Sequence, residues 1–180
     1  MILKVARLGH PIVRGGSQAL THAELAEPRT QDFIDDMIET MREYAGVGLA
    51  ATQVHAARRI AVIEVRGDHP RYPEAPAIPL TVLVNPEIVE RSPEMAEDWE
   101  GCLSVPDLRG LVPRHRGLRV RALDREGGRL DFAAEGFFAR VIQHEVDHLE
   151  GAVYLDRMND LKTLSFLTEF GRYWAKENSG

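Results

Sequence analysis

The chain has 180 residues, of which 44% are hydrophobic, 28% are charged and 7% are aromatic. This length predicts one domain, spanning residues 1–180, that can bury its own core, and the composition excludes disordered and collagen-like chains. The net charge of −6 argues against direct binding to nucleic acid or to an anionic membrane through the protein's overall field.

Cys102 is the only cysteine in the chain. A single cysteine cannot form an intrachain disulfide, so we expect a reducing compartment such as the cytoplasm. An organelle form whose transit peptide has been removed is the alternative. The first ten residues lack the apolar core of a signal peptide, and no stretch approaches the ~18 uninterrupted apolar residues of a membrane span.

The first half of the chain contains one clear helix and several short strands. Apolar residues recur at helical spacing over residues 31–44, with acidic residues between them. The β-branched run 60–65 predicts a strand, and four prolines mark residues 66–79 as a surface excursion. Two further short strands are expected at 81–84 and 88–89.

The second half adds a hairpin and two helices. Strand-like segments at 118–123 and 130–133 flank a turn, Glu-Gly-Gly, at 126–128. Apolar periodicity predicts helices over 136–151 and 160–176. Because strands tend to follow one another while the helices stand apart, the sequence favours an α+β fold over a parallel α/β fold.

The second helix contains the pattern His-Glu-x-x-His at 144–148. Residues four apart lie on one helix face, so His144 and His148 can converge on one metal ion, with Glu145 beside them as a general base. The apolar stripes of the helix run on into these three residues, which places them toward the core, where a buried charge must be paired or bound to metal. The alternative is a pair of core histidines with Glu145 as their partner.

The opposite face of this helix is polar, and by itself it is typical of a solvated helix face. Its residues are Arg140, Gln143, Asp147 and Glu150.

A metal ion needs a third protein ligand, and the residues leave three candidates. In one class of zinc protease the pattern His-Glu-x-x-His continues to a third histidine downstream. This chain matches that extension as far as Gly151 but has Tyr154 where the histidine is needed. Glu169 lies 21 residues beyond His148, which is compatible with a zinc endopeptidase. Cys102 would be a soft ligand for zinc or iron, although a lone cysteine is more often a small buried apolar residue.

A glycine-rich segment lies at residues 46–53. It formally matches Gly-x-Gly-x-x-Ala, but a dinucleotide fingerprint follows a strand and opens a helix, whereas here a helix precedes and a strand follows. We therefore interpret the segment as a tight loop that brings backbone close to a site, with Gln53 as an amide donor.

Together these segments resemble the peptide deformylase family. The family's motifs are matched by Gly-Val-Gly-Leu-Ala-Ala-Thr-Gln at 46–53, Glu-Gly-Cys-Leu-Ser at 100–104 and Gln-His-Glu-Val-Asp-His-Leu at 143–149. They occur in the family's order, and the resemblance extends over about residues 3–156. Thr52 stands where many members have proline, and that side chain has no catalytic role in the family.

The resemblance implies an α+β fold, with antiparallel sheets around the helix that carries the histidines and a C-terminal helix. It implies an enzyme that removes the N-formyl group from the N-terminal formylmethionine of nascent polypeptides and releases formate. It also implies one divalent metal, Fe(II) in vivo and Zn, Ni or Co in purified samples. Its implied metal ligands are Cys102, His144 and His148.

The resemblance further implies that Glu145 is the general base and then the acid. Gln53 and the backbone N–H of Leu103 would stabilise the oxyanion. We expect an apolar pocket for the methionine side chain, although its wall residues also fit an ordinary core. The substrate-binding residues expected in or near this pocket are Val47, Gly48, Phe137 and Val141.

Two arginines have expected roles outside the metal centre. Arg109 follows the cysteine motif and is expected to bind the peptide backbone, and Arg114 is expected to pair with Asp147 and brace the helix. For both arginines the alternative is a solvated surface charge.

The partners expected are N-formylmethionyl peptides and a transient ribosome contact. The C-terminal residues 157–180 are close to neutral, which argues against tight electrostatic docking there. Two alternative functions remain: a zinc endopeptidase with Glu169 as third ligand, and a non-catalytic module stabilised by a metal ion. The non-catalytic module needs four protein ligands and gives Glu145 no catalytic role.

Overall fold

The computed structural model describes residues 1–67, 69–70, 72 and 74–175. Two antiparallel sheets, of strand order β1-β2-β3-β6-β7 and β4-β5-β8, enclose one helix, α4. The strands are β1 Gly48–Ala50, β2 Ile60–Val65, β3 Ile78–Arg91, β4 Met95–Cys102, β5 Val105–His115, β6 Gly117–Leu123, β7 Arg129–Glu135 and β8 Ser165–Phe166. The helices are α1 Pro11–Arg14, α2 His22–Ala26, α3 Pro28–Glu43, α4 Gly136–Leu149 and α5 Leu167–Glu169.

The central helix α4 contacts strands of both sheets, and all but its first residues and His144 are buried. Its apolar stripe packs on the five-stranded sheet, where Val141, Ile142 and Val146 join the core under β2, β3 and β6. The helix α3 covers a second core through Ile34, Met37 and related residues. This arrangement confirms the predicted α+β class with antiparallel sheets around the histidine-bearing helix.

The two short strands predicted at 81–84 and 88–89 are parts of one strand, β3. The strand continues through Asn85, whose φ of 52° accompanies a shift in its pairing with β6. The Asn85 amide accepts a hydrogen bond from the N–H of Leu20 at 2.9 Å and donates to the Leu20 carbonyl at 2.8 Å. The Asn-Pro pair therefore marks a bulge within a strand, and the Asn85 side chain ties this bulge to the backbone of Leu20.

The hairpin β4–β5, which carries Cys102, has no clear signal in the sequence. Its strands pair from Met95 with His115 to Cys102 with Val105. The exposed first half of β4 is acidic, and β5 contains two prolines and a glycine, so neither segment shows the β-branched alternation that predicts a strand.

The C-terminal helix is present but begins at Leu167, later than the predicted start at residue 160. Residues Ser165 and Phe166 form β8 on the edge of β5, beside Arg109 and Leu108, which holds the chain extended there. The helical turns continue through Phe170–Trp174, whose rings pack on Trp99. The predicted end at Lys176 lies outside the described residues. No helix in the described ranges is long and apolar enough to cross a membrane.

Candidate active site

Three side chains from two elements converge beside the buried end of the central helix. The Cys102 Sγ at the end of β4 lies 3.2 Å from the His148 Nε2, which lies 3.2 Å from the His144 Nε2. All three ligand atoms lie within 4.8 Å of one another. Donor atoms of a tetrahedral Zn or Fe site lie about 3.5 Å apart, given bond lengths of about 2.0–2.3 Å. One thiol and two imidazoles therefore fit a single divalent ion, with a fourth position free for water or substrate.

The electrostatics of this triad favour a thiolate. Burial opposes ionisation of Cys102, but the neighbouring His148 and His144 outweigh it and hold the thiol pKa well below its ordinary value. Burial likewise opposes the charged form of His144, while Cys102 and Glu100 outweigh it and raise the pKa of that imidazole. The cluster thus prepares an anionic sulfur ligand, the form that binds metal.

Glu100 fixes the orientation of the first histidine. Its Oε2 lies 2.9 Å from the Nδ1 of His144, so the Nε2 faces the triad. Arg114 donates to both Glu100 oxygens at 2.9 and 3.0 Å, and Arg140 donates to Oε1 at 2.8 Å. Burial opposes the charge on Glu100, but His144 and Arg114 outweigh it and keep the pKa of this carboxyl far below the ordinary range. A buried carboxylate of this kind sets the ring orientation and tautomer of a ligand histidine.

The polar face of α4 is buried, so its interpretation as a solvated face was wrong for all but Glu150. Arg140, Gln143 and Asp147 are 6%, 6% and 7% exposed, because the β4–β5 hairpin covers them. The Arg140 guanidinium also donates to the carbonyls of Ala96 and Val112. From sequence alone these polar residues were indistinguishable from a solvated face, because most of their partners come from the β4–β5 hairpin, which is distant in sequence.

Asp147 joins the same network. Arg114 donates to its Oδ2 at 2.6 Å and Arg157 to its Oδ1 at 2.7 Å. These two guanidinium groups outweigh burial and lower the pKa of the Asp147 carboxyl. Sequence reasoning missed Glu100, Arg140 and Arg157; the position of Glu100 within the cysteine motif was the available signal.

We expect Arg140→Met to destabilise the metal-free protein by about 1–3 kcal/mol, the usual cost of leaving a buried acceptor without its donor. The substitution leaves Glu100 with one guanidinium partner and removes a donor from the carbonyls of Val112 and Ala96. Denaturant unfolding of the metal-free protein measures the change. Arg119→Met removes a solvent-exposed ion pair with Asp131 and should change the unfolding midpoint little; equal losses in the two variants would contradict the role of burial.

Glu145 lies against the glycine-rich loop. It is 4% exposed, and its Oε2 has no hydrogen-bond partner among the described residues. Burial raises the pKa of this carboxyl to about 7. A Cβ on Gly48 would lie 2.3 Å from the Glu145 Oε1, so only glycine leaves room for the carboxylate. An unpartnered carboxyl beside a metal triad has the position and the proton affinity of a general base.

The Gln53 amide is held in one orientation. Its Oε1 accepts a hydrogen bond from the N–H of Ala50 at 2.9 Å. Its Nε2 lies 3.2 Å from the Ser104 Oγ and 3.5 Å from the Cys102 Sγ. The donor end of the amide therefore faces the triad. Nearby, the Thr52 hydroxyl donates to the His148 carbonyl at 3.1 Å, which ties the loop to α4.

An apolar pocket opens beside the triad. Val47, Phe137 and Val141 line it, together with the backbone of Gly48 and the rings of Tyr72 and Trp99. The Tyr72 ring lies 5.2 Å from the Phe137 ring. Sequence reasoning missed both Tyr72 and Trp99, because one lies in the proline-rich excursion and the other in an unpredicted strand. The lining of the pocket is suited to an apolar side chain.

Arg109 and Glu169 occupy different surroundings. Arg109 is 7% exposed and lies over Gly101, where a Cβ would collide with its guanidinium. Glu169 is solvent-exposed on α5. The structure does not bring Glu169 to the cluster of ligand atoms, which contains only Cys102, His144 and His148 among the described residues.

Comparisons with known proteins agree with these observations. A family model described as polypeptide deformylase matches residues 2–164. Peptide deformylase 1 of Bordetella pertussis is 44% identical over 171 residues, covering 95% of this chain and 92% of the relative. Peptide deformylase 1 of Nitrosomonas europaea is 40% identical over 166 residues, covering 92% of this chain and 93% of the relative.

Solved structures show the same likeness. The Met-Ala-Ser-bound class I type b peptide deformylase from Acinetobacter baumannii superposes with a TM-score of 0.85 at 41% identity, covering 88% of this chain and 99% of that chain. The peptide deformylase from Thermotoga maritima gives a TM-score of 0.78 at 32% identity, with 89% and 99% covered.

Proposed function

Because the chain belongs to the polypeptide deformylase family, enzymes that remove the N-formyl group from nascent peptides, we propose that Cys102, His144 and His148 hold its catalytic metal ion. Glu145 is the general base and acid, within one catalytic domain of residues 1–180. The observation that supports this assignment is the convergence of three ligand atoms within 4.8 Å, beside a buried carboxylate with an unpartnered oxygen.

We propose Fe(II) as the resident ion, with Zn, Ni or Co as substitutes in a purified sample. One thiolate and two imidazoles suit each of these ions. When bound, the ion lowers the pKa of water and polarises the formyl carbonyl. Glu100 and its arginines keep the Nε2 of His144 available as a ligand, and Asp147 anchors the same helix turn.

Glu145 moves the protons of the reaction. It takes a proton from the attacking water as the oxygen bonds to the formyl carbon. When the C–N bond breaks, Glu145 returns that proton to the leaving α-amine of methionine, and formate departs. A carboxyl whose pKa is raised to about 7 is a stronger base than an ordinary glutamate and a competent acid near neutral pH.

Gln53 and Leu103 stabilise the negative charge on the formyl oxygen. The Gln53 Nε2 faces the triad because its Oε1 is already held by the N–H of Ala50. Leu103 follows Cys102 directly, so its backbone N–H comes from the same turn. Donors fixed before the reaction do not need to reorient as the charge develops.

We expect Gln53→Ala to lower kcat by about 10²–10³-fold, the usual cost of removing one oxyanion donor. Steady-state formate release measures the loss, and metal content should stay at the wild-type level. Gln31→Ala is the matched control, since that amide binds the carbonyls of Leu25 and Arg125 on the far side of the core. An unchanged kcat in Gln53→Ala would remove the amide from the mechanism.

The peptide is bound by the apolar pocket and the strands beside it. Val47, Phe137 and Val141 receive the methionine side chain, while the backbone of Gly48 and the Arg109 guanidinium bind the main chain. This proposal is supported by the lining of the pocket and by the related Acinetobacter baumannii enzyme, whose structure has Met-Ala-Ser bound.

We propose a cytoplasmic location, because a thiolate ligand and Fe(II) both need a reducing interior. A ribosome contact is transient at most. Among the described C-terminal residues, the cations are nearly balanced by acids, so electrostatic attraction to RNA through this segment is weak.

One experiment tests the proposed function most directly. Iron-loaded protein is incubated anaerobically with a formyl-Met peptide, and free formate and the new α-amine are measured. We expect equimolar release of formate and amine with no internal cleavage. Cleavage of internal peptide bonds without formate release would instead support the endopeptidase alternative.

A further inference from the structure

A second groove meets the methionine pocket at the metal triad. Both cavities are lined by Cys102 and Leu103. From there the groove runs between the first residues of the chain, including Lys4 and Arg7, and the start of β5 at Arg109. Because the two cavities share these lining residues, the groove lies next to the position that we propose for the residues after methionine. We call it the cationic groove.

The charges that line the cationic groove are unbalanced. It carries the cations of Lys4, Arg7 and Arg109, whereas Asp107 is its one acidic residue among the described lining. Lys4 and Arg7 are exposed and have no ion pair within the described part of the chain. The groove therefore carries positive charge, whereas the net charge of the protein is −6.

Arg109 adds a buried charge that has no carboxylate partner in the described part of the chain. Arg109 is 7% exposed, and the one hydrogen bond of its guanidinium among the described residues is to the carbonyl of Leu108 at 3.3 Å. By contrast, the buried Arg114 and Arg140 both bind carboxylates. Burying a cation is costly unless a counter-charge or several acceptors satisfy it. The unsatisfied donors of Arg109 favour an acceptor supplied by the bound peptide.

We propose that the cationic groove binds an acidic side chain of the nascent peptide, one of the first few residues after formylmethionine. Arg7 and Lys4 attract the carboxylate along the groove, and the Arg109 guanidinium, which also binds the peptide main chain, is the lining cation next to the site of reaction. This inference rests on the proposed active site and adds a preference for peptide sequence to it. Because the two exposed cations act through solvent, the preference is sensitive to ionic strength.

The test compares kcat/KM for formyl-Met-Ala-Ser peptides that carry Glu or Lys at the second, third or fourth position. We expect a several-fold higher kcat/KM for Glu than for Lys at one or more positions, shrinking toward unity at 0.5 M salt. The Lys4→Glu/Arg7→Glu double variant should reverse the preference, and Lys4→Gln/Arg7→Gln should reduce it. The Arg91→Glu/Arg129→Glu variant alters the same total charge on the other sheet and should keep the wild-type ratio.

The outcomes separate this proposal from the function on which it rests. Formate release from the neutral peptide by the wild-type enzyme tests the deformylase site alone. Normal release with equal kcat/KM for Glu and Lys peptides would overturn the groove proposal only. A preference that changes equally in the groove variant and in the Arg91/Arg129 control would also overturn it, since net charge rather than the groove would then be responsible.

Discussion

Glu145→Gln is expected to lower kcat by about 10²–10⁴-fold, the range that general acid–base catalysis contributes. The amide has nearly the shape of the carboxyl, so the buried position beside Gly48 is still filled. It cannot accept the proton of water or return one to the leaving amine. Metal content should be unchanged, because the three ligand atoms come from other side chains. Formate release and metal analysis on the same sample measure both quantities.

The pH dependence gives a second readout of this variant. Burial raises the pKa of the Glu145 carboxyl to about 7 in the metal-free chain, so the neutral form dominates below that value and cannot act as a base. A bound cation favours the charged form and moves the pKa down. The wild-type kcat/KM should therefore fall on the acid side with a midpoint at or below 7, and Glu145→Gln should lack this limb.

Glu150→Gln is the matched control for both readouts. Glu150 is the C-cap residue of the same helix but is solvent-exposed. Its Oε1 forms an ion pair with the Arg59 guanidinium at 3.4 Å. We expect wild-type kcat and pH dependence from it. A Glu145→Gln enzyme that keeps more than a tenth of wild-type kcat would show that another group carries the proton.

Gly48→Ala is expected to lower kcat nearly as far as Glu145→Gln, although no titratable group is lost. The added methyl would lie 2.3 Å from the Glu145 Oε1 and 2.7 Å from its carboxyl carbon, closer than atoms pack. Because Gly48 lies in β1, paired with Ile63 of β2, the backbone cannot easily yield. The carboxyl must move, and displacement of a catalytic group by about 1 Å can cost 10²-fold in rate.

Gly67→Ala is the control for this substitution, since a Cβ there meets nothing within 4 Å. Steady-state kinetics should show a loss in kcat for Gly48→Ala and none for Gly67→Ala. If Gly48→Ala keeps wild-type kcat, the carboxyl has room to shift without consequence, and its position against the loop is not part of the mechanism.

Hydrophobic periodicity and turn residues correctly predicted the elements that are defined by residues close together in sequence. The strand at Ile60–Val65 and the hairpin over 117–135 have clear periodicity and turn residues, and the structure has them. The His-Glu-x-x-His pattern placed two ring nitrogens and a carboxylate on one helix because helical geometry alone fixes that spacing.

The hydrogen bonds that orient the metal-binding side chains join residues that are distant in sequence. Glu100 and His144 are 44 residues apart, and Arg140 is the same distance from its acceptor at Ala96. Nothing local distinguishes a solvated helix face from one covered by a hairpin. The late start of the C-terminal helix has a similar cause, because pairing of Ser165 with Arg109 on β5 overrides helical periodicity.

The metal ligand set is the central claim, and metal content of purified variants tests it most directly. Wild-type protein and Glu169→Gln should each bind one divalent ion per chain with equal affinity. Cys102→Ser should weaken binding by more than the ~10–100-fold that loss of a supporting hydrogen bond costs. Full metal binding in Cys102→Ser, with loss in Glu169→Gln, would contradict the assignment of Cys102, His144 and His148 as the ligands.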